Sequence, residues 1–141
     1  MVELEDIRVA RRRLQEVAVH TPLVLCPRSA PERLLYFKPE SFQPVGSFKL
    51  RGAYNKIASM SEKEKSRGVI AYSSGNHAQG VAYAARHLGV QATIVMPGSA
   101  SEVKMTRTAE LGAEIVRVGA GSEERRARAE ELAGERGYAL V

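Results

Sequence analysis

With 141 residues, 44% hydrophobic and 26% charged, the chain has apolar material for one domain's core, and no apolar run approaches the ~20 residues of a membrane span. A single cysteine, Cys26, excludes an intrachain disulfide, and with an acidic start (Met1-Val2-Glu3-Leu4-Glu5-Asp6) that lacks a signal core it points to the cytoplasm. The net charge of +5 is dispersed, and its dense clusters, Arg11-Arg12-Arg13 and Arg125-Arg126, fall on predicted helices beside acids and away from aromatics, which reads as solvated faces rather than a nucleic-acid surface.

The first predicted helix covers residues 2–17, with Leu4, Ile7, Leu14 and Val17 on one face. His20-Thr21-Pro22-Leu23 ends it, since proline and the residue before it resist helix. Residues 34–37 have strand character and Pro39 stops them; Lys38 and Glu40 read as solvated charges in preference to a local charge pair. Residues 44–46 turn the chain into a helix over 48–60, with Ser47 as its N-cap. From there the rhythm is regular. Residues 68–72 form a strand, and a helix over 76–88 stops at Gly89. Residues 92–96 form a strand closed by Pro97-Gly98, and a helix over 101–111 stops at Gly112. A strand over 114–118, a charged helix over 122–136, Gly137 and a strand over 138–141 complete the pattern.

Strands alternating with helices through short loops specify an α/β fold with a parallel βαβ sheet and flanking helices. Ligands of such sheets lie beyond the carboxyl ends of the strands, where residues 73–77 fall. The final strand, ending without a polar tail, is expected to belong to a larger fold.

Two segments carry chemistry. Lys49 falls in the first turn of its helix, at the positive end of the dipole, with Arg51 as a second cation nearby. A structural lysine prefers the other end of a helix. A lysine among positive charges offers a more available free amine, as a Schiff-base lysine requires. Ser73-Ser74-Gly75-Asn76-His77 joins a strand end to a helix start, where open backbone N–H groups favour an anion. A capping loop is the simpler reading of that segment alone, with His77 structural and Gly80 serving close helix–sheet packing. No zinc-ligand spacing, GxxxxGK[ST], GxGxxG or GxSxG is present, so metal sites, nucleotide loops and hydrolase elbows have no support.

Taken together, the segments are specific. Lys38-Pro39-Glu40-Ser41-Phe42-Gln43-Pro44-Val45-Gly46-Ser47-Phe48-Lys49-Leu50-Arg51-Gly52-Ala53 closely resembles the pyridoxal-phosphate lysine segment of the threonine/serine dehydratase family. Ser73-Ser74-Gly75-Asn76-His77-Ala78-Gln79-Gly80-Val81-Ala82 resembles that family's substrate loop and following helix. His20-Thr21-Pro22-Leu23, Ile94-Val95-Met96-Pro97 and Leu111-Gly112-Ala113-Glu114 also fit. The resemblance runs from about residue 4 to the last residue.

The resemblance implies part of the tryptophan-synthase-β-like architecture, fold type II of pyridoxal-phosphate enzymes. Residues 1–50 would belong to its large domain and 51–141 would form the small βαβ domain. Lys49 would carry pyridoxal 5'-phosphate as a Schiff base and act as the base for the α-proton. Phe48 would pack beside the pyridine ring, and Asn76 would bond its 3'-oxygen. Ser73, Ser74, Gly75, Asn76 and His77 would hold the substrate carboxylate. The implied reaction is α,β-elimination from L-threonine or L-serine, giving 2-oxobutanoate or pyruvate with ammonia. Ser74 opens an alternative. Many of the dehydratases carry alanine there, whereas the serine racemases resemble this sequence and use that serine as a second proton donor.

The family's glycine-rich phosphate cradle and pyridine-nitrogen partner have no counterpart among these residues. The expected forms are therefore a fragment of an enzyme, one piece of a split enzyme, or a non-catalytic βαβ domain. Either a homo-oligomer or a complementing C-terminal part is the expected partner.

Overall fold

The structure is a computed structural model describing residues 1–141. Helix α1 (Leu4–Arg13) is followed by an antiparallel ribbon of β1 (Val24–Leu25) and β2 (Tyr36–Phe37). A 3-10 turn over Glu40–Phe42 leads into α2 (Lys49–Ala58) and the short α3 (Glu62–Arg67). Then come β3 (Val69–Tyr72), α4 (Asn76–His87), β4 (Ala92–Pro97), α5 (Glu102–Glu110), β5 (Glu114–Val118), α6 (Ser122–Arg136) and β6 (Ala139–Leu140). No helix is long and apolar enough to cross a membrane.

The last four strands form one parallel sheet in the order β5-β4-β3-β6. Its register pairs Val69 with Ala92 and with Ala139, and Ile94 with Ile115. The chain progresses from β3 outward to β5, then returns through α6 to the other side of β3. That reversal leaves a crevice at the carboxyl end of β3.

Strand alternation builds three layers. Val69 and Ala71 of β3, with Ile94 and Met96 of β4, pack against α2, α4 and α5 in the main core. Ile70 and Val95 point the other way, onto Ala129 and Leu132 of α6. β4 is buried along its whole length, as a central parallel strand covered on both faces should be. On α2, Leu50, Ala53, Tyr54 and Ile57 are buried at the spacing of one helical face. α4 meets them with Ala78, Val81, Ala82 and Ala85, small residues that let the two helices approach. The α4 and α5 stops fall at Gly89 (φ 67°) and Gly112 (φ 91°), left-handed turns that a side chain resists.

Several expectations are revised. The first helix ends at Arg13 and continues only as turns. Leu4 and Ile7 are 61% and 58% exposed, since no layer lies over that half of the helix. Val17 reaches the core. The strand over 34–37 shrinks to two exposed residues, paired with an unexpected β1. α3 was not anticipated. Its signal was Ser61 with Glu64 three residues on: Glu64 N donates to Ser61 Oγ, and Ser61 N donates to Glu64 Oε2 at 2.8 Å.

Candidate active site

Lys49 is the first residue of α2 and its side chain is exposed. Its Nζ lies over the Phe48 ring, 5.2 Å from the centroid, in cation–π range. Phe48 is 59% exposed, so the ring is open to a ligand. Ser47 does not cap the helix. Phe48 already has helical angles (φ −64°, ψ −14°) and takes the cap position, while the Ser47 hydroxyl is buried without a partner. A capping serine needs extended backbone at the cap itself.

Gly80 of α4 packs against the backbone of Lys49. A Cβ there would stand 3.1 Å from the Lys49 carbonyl carbon, 3.2 Å from the Leu50 nitrogen and 3.3 Å from the Lys49 oxygen. The expected helix–sheet contact is thus a helix–helix contact. It locks the start of α2 one turn from Asn76, the first residue of α4.

The 73–77 loop leaves β3 at the crevice. Ser73 is half-buried, its N–H donates to the Val95 carbonyl, and its hydroxyl accepts from Gly75 N at 3.3 Å. Gly75 is the cap residue of α4 and has no side chain to meet the first N–H groups, which stay available. Ser74 and Asn76 are exposed. His77 is half-buried, with Nε2 3.1 Å from the Val141 carbonyl, so the N–H-bearing tautomer at Nε2 ties α4 to the strand across the crevice. The geometry brings Lys49, Phe48 and the five loop residues to the same end of the α2–α4 pair.

Arg51 is not a free cation beside Lys49. Glu40 accepts from its Nε at 2.7 Å and from its Nη2 at 2.9 Å. Glu40 also accepts from the Thr21 hydroxyl at 2.6 Å and from Gln43 Nε2 at 3.2 Å, and Lys38 lies 3.7 Å away. The Glu40 side chain is only 16% exposed. Hydrogen bonding from Arg51 is the main cause holding its carboxyl down from 4.5 to about 2; burial opposes this, and the Thr21 hydroxyl and the Arg51 and Lys38 charges add to it. The same bond raises Arg51. Gln43 exchanges two further bonds with the Val19 backbone. Glu40 therefore clasps three segments, at Thr21, Gln43 and Arg51. The local sequence shows only Lys38 and Gln43 nearby, because its strongest partner, Arg51, and the Thr21 hydroxyl lie 11 and 19 residues away.

Arg125 and Arg126 also part company. Arg126 is a surface residue paired with Glu130 at 2.7 Å. Arg125, in the first turn of α6, lines a cleft with Ser74 at the strand ends. Adjacent arginines on a charged helix give no sequence signal of which one turns inward.

The chain matches the family described as "Pyridoxal-phosphate dependent enzyme" over residues 14–141. It is 46% identical over 139 residues to L-threo-3-hydroxyaspartate ammonia-lyase of Saccharomyces cerevisiae, covering 96% of this chain and 42% of that protein. It is 52% identical over 120 residues to L-threonine ammonia-lyase of Thermotoga maritima, covering 82% of this chain and 29% of that protein. The crystal structure of serine racemase from Dictyostelium discoideum superposes with a TM-score of 0.91 at 35% identity, covering 99% of this chain and 46% of that one. The chain thus spans less than half the length of these relatives.

Proposed function

From the premise that this chain belongs to the pyridoxal-phosphate dependent enzyme family, we propose that it carries the lysine and substrate loop of an ammonia-lyase that converts L-threonine or L-serine into a 2-oxo acid and ammonia. The observation that carries this reading is the Gly80–Lys49 contact, which sets the backbone bearing an exposed, unpaired amine one turn from the end of the 73–77 loop.

The donor set fits the cofactor. Lys49 Nζ has no carboxylate partner, Phe48 offers an open ring beside it, and Asn76 presents a free amide one turn from Gly80. Lys49 would hold pyridoxal phosphate covalently through Nζ, with Phe48 against its ring and Asn76 bonded to its ring oxygen. When bound, the cofactor supplies an electron sink for negative charge at the substrate's α-carbon. Open N–H groups at the start of α4 and the Ser73 and Ser74 hydroxyls receive the substrate carboxylate. Lys49 Nζ, once the substrate's amino group has displaced it from the cofactor, would take the α-proton. Net, threonine yields 2-oxobutanoate and ammonia, and serine yields pyruvate and ammonia.

The decisive test adds pyridoxal phosphate to this chain together with its complementing C-terminal part, and to the same assembly carrying Lys49→Ala, recording the visible band of lysine-linked cofactor and ammonia release from both amino acids. The unmodified protein is expected to show both signals and the variant neither. A band that persists in Lys49→Ala overturns the assignment. Racemisation of serine is a second reading, favoured by one observation: the Ser74 hydroxyl is exposed at the loop, where a second proton donor is needed.

A further inference from the structure

The 73–77 loop leaves β3, the strand that has β4 on one side and β6 on the other. It is tied to both neighbours. On the β4 side, Ser73 N donates to the Val95 carbonyl at 3.1 Å. On the β6 side, the His77 ring reaches the Val141 carbonyl, with Nε2 at 3.1 Å. The loop is thus strung across the end of β3, fixed at its first residue and at its last.

The β6 end of this span is anchored in its turn. Ala139 N donates to the Gly68 carbonyl at 3.1 Å, and Val141 N to the Ile70 carbonyl at 3.0 Å. The side chains of Ala139 and Val141 pack against the main core, which α4 shares. No backbone N–H bonds to the Val141 carbonyl, so His77 is the group that meets this acceptor. A carbonyl only accepts, so Nε2 carries the hydrogen. At the start of α4, Gly75 brings no side chain to cap the first N–H groups. An uncapped first turn frays unless something else holds it. Here the His77 ring holds it from the strand, and the Gly80 contact with the Lys49 backbone holds it one turn further on.

We infer that His77 is a positioning residue: its ring is spent on the end of β6, and through that bond it holds the first N–H groups of α4 where they receive the substrate carboxylate. This rests on the ammonia-lyase reading and gives the ring a role other than direct contact with the substrate, because the donor such a contact would use is engaged by Val141. Whatever displaces β6 then slackens the loop, so affinity for the amino acid is linked to the docking of that strand.

The test measures KM and kcat for L-threonine in this chain loaded with pyridoxal phosphate together with its complementing C-terminal part. The variants are His77→Gln, His77→Phe, Ala139→Pro and the combination of the last two. Loss of one hydrogen bond raises KM about 2- to 10-fold in His77→Phe with kcat held, the pattern of lost uniform binding. His77→Gln, whose amide can donate to the same carbonyl, recovers most of the affinity. Ala139→Pro removes the N–H given to Gly68, loosens β6 and raises KM in the same way. In the combined variant the two losses do not add, because both break one span. Additive losses, or a kcat that falls while KM stays, overturn the inference. A second readout needs no turnover: nitrogen NMR of the same assembly without cofactor, titrated with propionate, a carboxylate that carries neither amine nor hydroxyl. Propionate is expected to shift the backbone N–H signals of Asn76, His77 and Ala78, to leave the His77 Nε2 signal in place, and to bind more weakly to His77→Phe. A moved Nε2 signal makes the ring a direct ligand and overturns the inference, as does equal binding by His77→Phe. If no amino acid releases ammonia, the ammonia-lyase reading fails, and the propionate titration still decides the role of His77.

Discussion

The carboxylate of Glu40 takes both Nε and Nη2 of Arg51, at 2.7 and 2.9 Å, and this pair ties the turn before α2 to the first turn of that helix. Because the Glu40 carboxyl is lowered from 4.5 to about 2, the unfolded chain binds more protons than the folded chain between those values. Its contribution is complete above about pH 4.5 and is lost as pH falls toward 2. Solvent screening keeps it on the order of 1 kcal/mol. Urea unfolding should therefore show Glu40→Gln less stable than the unmodified protein near neutral pH, with the gap closing in strong acid. A gap that widens on acidification would contradict this sign.

The packing of Gly80 predicts a change felt at the amine. Gly80→Ala gains about 1 kcal/mol of helix propensity. The new methyl, however, meets helix backbone rather than a flexible side-chain end. Overpacking of this kind costs about 1–3 kcal/mol, so a net loss near 1 kcal/mol is expected. The cofactor band should weaken as well, because Lys49 moves with α2. A stabilised variant with an unchanged band would show that the helices can separate freely.

Ser74 separates elimination from racemisation. In Ser74→Ala, the ratio of D-serine formed to pyruvate formed should fall about 100-fold if the hydroxyl is the second proton donor. Chiral chromatography beside a pyruvate assay reads this directly. Absence of D-serine from the unmodified protein would end the racemase reading.

The Ser61 cap is expected to matter for stability alone. Ser61→Ala should lower unfolding free energy by about 1 kcal/mol in urea titration, with the cofactor band unchanged. A loss of the band would mean that α3 is coupled to Lys49 in a way its exposed position does not suggest.

The parallel array was legible because strand and helix signals there agree at each step: Val69, Ile70 and Ala71 are apolar and buried on both faces, and Gly89 and Gly112 end the helices before the next strands. α1 was less legible. Its apolar stripe runs through Leu4 and Ile7, but periodicity states which residues share a face, not whether a layer covers that face. Lys49 and the 73–77 loop stood out in the sequence as two separate segments, whereas the contact between their helices through Gly80 depends on how α2 and α4 pack. Glu40 meets Arg51 and Thr21, and Arg125 meets the cleft beside Ser74, only once the chain is folded. Local charge counting therefore treated both as solvated.

The parallel sheet separates two kinds of information along its strands. Gly89 and Gly112, which end helices, sit at the edge where strands begin. Ser74, Ser99 and Arg125 sit at the edge where strands end. Substitutions that retune what the cleft accepts can therefore accumulate without disturbing the stops that shape the fold. A scaffold arranged this way is evolvable: the rim that meets a ligand and the stops that shape the fold can change independently.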